Sequence, residues 1–151
     1  MKRGARVWHA VLAVLCAATV LSTTAQPEAS YFTTVDVFVV SDTPVAAWQV
    51  ELTERRGAMQ IVGIERGDDS TFRDPPYYDR VAMTRSDRIV LASFSLSDAA
   101  QLQSGRVRIA RVHVRMTGAA APDYEARLVA AGTADGRPID AQLSLETQTE
   151  R

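Results

Sequence analysis

In residues 106–116, RVRIARVHVRM, the apolar side chains change step. Val107 and Ile109 lie two apart, and Val112, Val114 and Met116 continue in the opposite parity. A β-strand sends alternate side chains to opposite faces. Read as one unbroken strand, this segment would bury arginine, which is costly unless the charge is paired. One extra residue at Ala110-Arg111 restores the register, which is the effect of a β-bulge. All the apolar residues then face a core, and Arg106, Arg108, Arg111, His113 and Arg115 share the outward face. The segment therefore requires a sheet with one buried side and one polar side.

The rest of the chain fits that requirement, because no long segment has helical periodicity. Residues 33–40, TTVDVFVV, place Val35, Val37 and Val39 on one face. Residues 45–53 place Trp48, Val50 and Leu52 opposite Gln49 and Glu51. Further strands are expected at 59–65, interrupted by Gly63, and at 88–96, 124–131 and 139–145. Asp135-Gly136 is a favoured hairpin pair, because glycine accepts positive φ without steric cost. Residues 98–102 are expected to hold one helical turn. Six or more short strands at this spacing predict an all-β fold, an antiparallel β-sandwich.

The first 25 residues have a different character. Lys2, Arg3 and Arg6 precede an apolar run from Val7 to Leu21, and Thr23-Thr24-Ala25 supplies small residues for cleavage. This is the pattern of a secretory signal peptide, with an apolar run short for a stable membrane span. The organisation expected is a signal peptide at 1–25, a short linker at 26–32, a sandwich at 33–146 and a tail at 147–151. The product would be secreted, extracellular or periplasmic, with no membrane segment in the mature form.

Cleavage would remove Cys16, Lys2 and His9, the only cysteine, the only lysine and one of two histidines. It would remove three of the 17 basic residues and none of the 18 acids, leaving 14 against 18. An acidic balance disfavours nucleic acid. Without cysteine the domain must rest on its hydrophobic core, with no disulfides. Arginine in place of lysine fits a GC-rich bacterial genome.

The order of features resembles the cohesin family of secreted bacterial β-sandwich modules. The segments that carry the resemblance are VAAWQVEL, IVGIERGD, RIVLASFSL, GRVRIARVHVRM and DGRPIDAQLSLE, within residues 33–146. The resemblance implies a nine-stranded jelly-roll, related to the carbohydrate-binding domain fold. It also implies no enzymatic activity and a flat sheet face that binds a dockerin module. The segments at 45–53, 88–96 and 106–116 would lie on that face. Family members usually begin with a strand before the one matching residues 33–40. Here only residues 26–32 are available for it, and Pro27 interrupts them.

Catalysis is poorly supplied. Composition excludes thiolate, lysine-amine and multi-histidine zinc chemistry in the mature chain. His113 sits mid-strand between Arg111 and Arg115, a poor setting for a ring that must accept a proton. A two-carboxylate glycosidase needs a cleft between its acids, and a small sandwich offers little cleft. Trp48 shares its face with Val50 and Leu52 and is expected in the core.

Two candidate sites remain. The first is the loop RGDDSTFRDPPYYDRV at 66–81. There Asp74, Tyr77, Tyr78 and Asp79 are candidate ligand contacts, Phe72 is expected to fold inward, and the tyrosines are expected to cap the end of the sandwich. No cofactor or metal is expected. Calcium, if held, would use Asp68, Asp69, Asp74 and Asp79, although EF-hand spacing is absent. The second site is the stripe of Arg108, Arg111, His113 and Arg115. It would either pair across strands with acids such as Glu51 or dock an acidic protein surface. The expectation is a non-catalytic protein-interaction or adhesion module with a dockerin-like or acidic partner. A carbohydrate-binding module recognising polysaccharide is the alternative.

Overall fold

The computed structural model describes residues 28–84 and 87–149. Eight strands form two antiparallel four-stranded sheets packed as a sandwich: β1 Ser30–Ser41, β2 Ala47–Glu54, β3 Met59–Arg66, β4 Tyr77–Tyr78, β5 Arg88–Phe94, β6 Gly105–Thr117, β7 Tyr124–Gly132 and β8 Gln142–Thr149. The first sheet has the order β3-β6-β1-β8 and the second β4-β5-β2-β7. Short 3₁₀ turns occupy Arg80–Thr84 and Ala99–Gln101. The signal-peptide segment lies outside the described residues.

Alternation builds the core. β2 buries Trp48, Val50 and Leu52. They pack against Val35, Val37 and Val39 of β1, Ile89 and Leu91 of β5, and Val112, Val114 and Met116 of β6. Burial of this kind contributes roughly 25 cal/mol per Å² of apolar surface. Trp48 is a core residue as expected, with its ring 6.4 Å from that of Phe72.

The parity change in β6 is a bulge one residue earlier than expected. Val37 pairs with Ala110 and Phe38 with Arg108, so Ile109 is the extra residue. Ile109 and Ala110 are both buried, and the arginines after them face outward. Loop residue Gly67 crosses directly over this bulge. A Cβ there would lie 2.0 Å from the Arg108 carbonyl oxygen. That carbonyl accepts the Asp68 N–H at 2.9 Å.

Several expectations require correction. β1 begins at Ser30, so the last three residues of the expected linker belong to it, and β8 runs to Thr149, into the expected tail. The last strand starts at Gln142 rather than 139. Asp135-Gly136 does form a turn, with Gly136 at φ 79°. It closes only a short ladder, however, with Ile139 N–H on Ala131 O and a bridge between Gly132 and Pro138. The chain then crosses to the other sheet. The described residues contain eight strands rather than nine, and β8 pairs directly with β1. The segment at 106–116 lies in the sheet opposite 45–53 and 88–96, so the three do not share a face.

Candidate functional site

The two outer faces of the sandwich differ in chemistry. On the first sheet the arginine stripe exists as a row, yet most of its charges are met by carboxylates within the chain. Arg111 donates from Nε and Nη2 to the two oxygens of Asp36, at 2.7 and 2.8 Å. Arg108 reaches Asp36 at 3.4 Å and also pairs with Asp68. Their side chains retain only 18% and 26% exposure, for Arg108 and Arg111 respectively. Arg106 lies 3.5 Å over the Phe38 ring and pairs with Glu146 at 2.6 Å. His113 Nε2 lies 2.8 Å from Glu65, and Arg115 bonds to Gln60. The partners come from β1, β3, β8 and the loop after β3. Glu51, the expected partner, faces out from the second sheet, where Arg88 and Arg127 hold it.

Asp36 sits at the centre of this network. It is buried on the outward side of β1 beneath the two guanidinium groups. The Arg111 hydrogen bonds, aided by the charges of Arg111 and Arg108, hold its carboxyl below the ordinary value of 3.8 against the opposing effect of burial. A planar guanidinium fork matches a carboxylate in two parallel bonds.

The loop at 66–81 is divided among different tasks. Phe72 is buried as expected. Asp69 is buried too. Its Oδ1 accepts the Thr71 N–H and hydroxyl, and its Oδ2 accepts the Gln103 N–H. Asp79 accepts the Val81 N–H at 2.9 Å. Asp68 is engaged with Arg108. The four carboxylates weighed for calcium are therefore not gathered, and among the described residues no cluster of three metal-binding side chains occurs. Tyr78 packs against the core. Of the four loop candidates, only Asp74 and Tyr77 share a cavity.

Tyr77 does not cap the end of the sandwich. It belongs to β4, pairs with Ala92, and extends the outer face of the second sheet. Its ring stacks on Phe94, with centroids 6.1 Å apart and planes at 9°. Tyr77, Phe94 and Leu96 remain 63%, 55% and 92% exposed. The register builds an apolar floor beside this ridge. Ala92, Gln49 and Ala130 form one row, and Phe94, Ala47 and Gly132 the next. Because most of these side chains are small, they leave a trough of about 450 Å³. A cleft of about 470 Å³ lies on the other side of the ridge, lined by Thr71, Asp74, Ser95, Asp98 and Gln101. The resemblance puts 45–53 and 88–96 on a docking face, and both lie in this sheet, but the aromatic ridge is not legible from it because Tyr77 falls in a segment expected to be loop. The outward parity of Ala92, Phe94 and Leu96 was the available signal.

In comparisons with family models, with curated proteins and with solved structures, nothing matches this chain.

Proposed function

We propose that the chain is a secreted, non-catalytic docking module of the cohesin-like, jelly-roll type, and that a protein partner seats on the outer face of β4-β5-β2-β7. The observation that carries this reading is the exposed ridge of Tyr77, Phe94 and Leu96 beside a trough floored by alanine and glycine. Exposed apolar patches on a folded domain mark interaction sites. Aromatic side chains are enriched among the few residues that dominate binding energy. The trough fits an apolar ridge on the partner. The arginine face is the weaker docking surface, because Arg106, Arg108 and Arg111 already have carboxylate partners and Arg115 is bonded to Gln60. The order of segments within residues 33–146 that resembles cohesins supports the same reading.

The test is capture of partners from the source organism's secreted proteins by the mature domain. Phe94→Ala should weaken the captured complex about thirtyfold, as truncation of a dominant contact does. Arg115→Gln should leave it unchanged. The opposite pattern, with Phe94→Ala silent and Arg115→Gln disruptive, would return the interface to the arginine face.

Polysaccharide is a second reading, favoured by the Tyr77–Phe94 stack beside the hydroxyl- and carboxylate-lined cleft. Sugar rings stack on exposed aromatic faces, and a few convergent polar groups fix their orientation. On this reading wild-type protein is retained on insoluble polysaccharide, and Tyr77→Ala abolishes retention without a protein partner present.

A further inference from the structure

The four sheet edges are not equally protected. β4 is only two residues long. β3 is interrupted at Val62 and β7 at Val129, each by a one-residue register shift against its neighbour. β8 pairs with β1 in unbroken register from Gln142 to Thr149. It contains no proline and a single charge, Glu146. Short length and bulges are the usual devices that stop an edge from adding another strand. β8 has neither, and among the described residues no strand is hydrogen-bonded to its outer side, although β7 of the other sheet passes near it.

The direction of its backbone groups can be read from one bond. Thr33 Oγ1 donates to the Gln148 carbonyl at 2.9 Å, which places that carbonyl on the β1 side. Alternation then leaves the N–H and C=O groups of Leu143, Leu145, Thr147 and Thr149 on the open side.

We infer that β8 is a self-association edge, at which a second copy of this chain adds its own β8 antiparallel. A two-fold axis through Leu145 gives the longest overlap that keeps Glu146 away from its own copy. Leu145 then exchanges both backbone hydrogen bonds with Leu145 of the second copy, and Leu143 exchanges two with Thr147 on each side of the axis. The non-hydrogen-bonded positions set Gln142 opposite Gln148 and Ser144 opposite Glu146. Moving the axis by one residue, onto Glu146, would set two carboxylates face to face. The product is one continuous eight-stranded sheet, β3-β6-β1-β8-β8-β1-β6-β3. This surface is separate from the docking face on the other sheet, so neither reading depends on the other.

Sedimentation equilibrium of residues 26–151 should give a mass that rises with concentration to twice that of the monomer. Gln142→Glu with Gln148→Glu places like charges at two close pairs and should hold the protein monomeric. Gln142→Lys with Gln148→Glu should restore the dimer. Thr147→Pro removes an outward N–H while leaving the β1-facing bonds intact, and it should also give a monomer with an unchanged circular dichroism spectrum. The inference is overturned by a wild-type monomer throughout the concentration series. It is overturned equally by a dimer indifferent to the charge pair and the proline.

Discussion

A carboxylate buried in the middle of a sheet must have its charge matched, and Asp36 is matched by three hydrogen bonds from two arginines. Removing one member of such a group leaves the others unpaired, and the penalty exceeds the net worth of the pair. Asp36→Asn should therefore cost about 2–3 kcal/mol in denaturant unfolding near neutral pH. The pH dependence has a definite sign. The folded carboxyl titrates below its ordinary value of 3.8, so its contribution is complete above that value. It is lost as pH falls from there through the lowered folded value, because the unfolded chain binds the proton first. Chemical unfolding of wild type at a series of pH values should show stability dropping below about pH 4. The Asn variant should show a smaller drop over the same window. An equal acid slope in both proteins would show that Asp36 is not the responsible group. The sequence displayed the arginines plainly, through their parity, but not this partner. Asp36 and Arg111 are 75 positions apart, and only the β1–β6 register brings them together.

At the scale of elements, the β6 bulge and the loop after β3 form one feature. The bulge leaves the Arg108 carbonyl directed at the loop, and Gly67 allows the loop backbone to approach it. Loop position in turn sets Asp68 on Arg108 and begins the path that carries Tyr77 onto the second sheet. Gly67→Ala inserts a methyl group where backbone atoms already stand, so it should cost about 2–3 kcal/mol. The loss should appear as a lower melting temperature and as increased protease cleavage between Asp68 and Pro76. An unchanged melting temperature would mean that the loop lifts away without consequence. The bulge was legible because a parity change needs only the side chains of one strand. β4 was not, because two residues carry no period and Pro75-Pro76 reads as loop. The start of β8 was misplaced for a related reason. Ile139 and Ala141 are apolar and pack on the core, yet they belong to the crossing between sheets, where burial does not require a strand.

Across the whole molecule, alternation revealed the sandwich and its core, while the assignment of strands to sheets needed long-range pairing. The segments at 45–53 and 106–116 alternate alike, and nothing local separates their sheets. The same pairing fixes how the domain should respond to tension. Thr33 lies opposite Thr149, so the start of β1 and the end of β8 are at the same end of one sheet. A pull between those two points loads the β1–β8 ladder one rung at a time, like a zipper. A pull between Asp42, beyond the other end of β1, and Thr149 loads every rung together in shear. The cysteine-free span from 26 to 151 lets introduced thiols serve as unique handles for a force probe. Attachment at positions 30 and 149 should rupture at clearly lower force than attachment at positions 42 and 149, so the same ladder would be yielding or stiff according to where it is held.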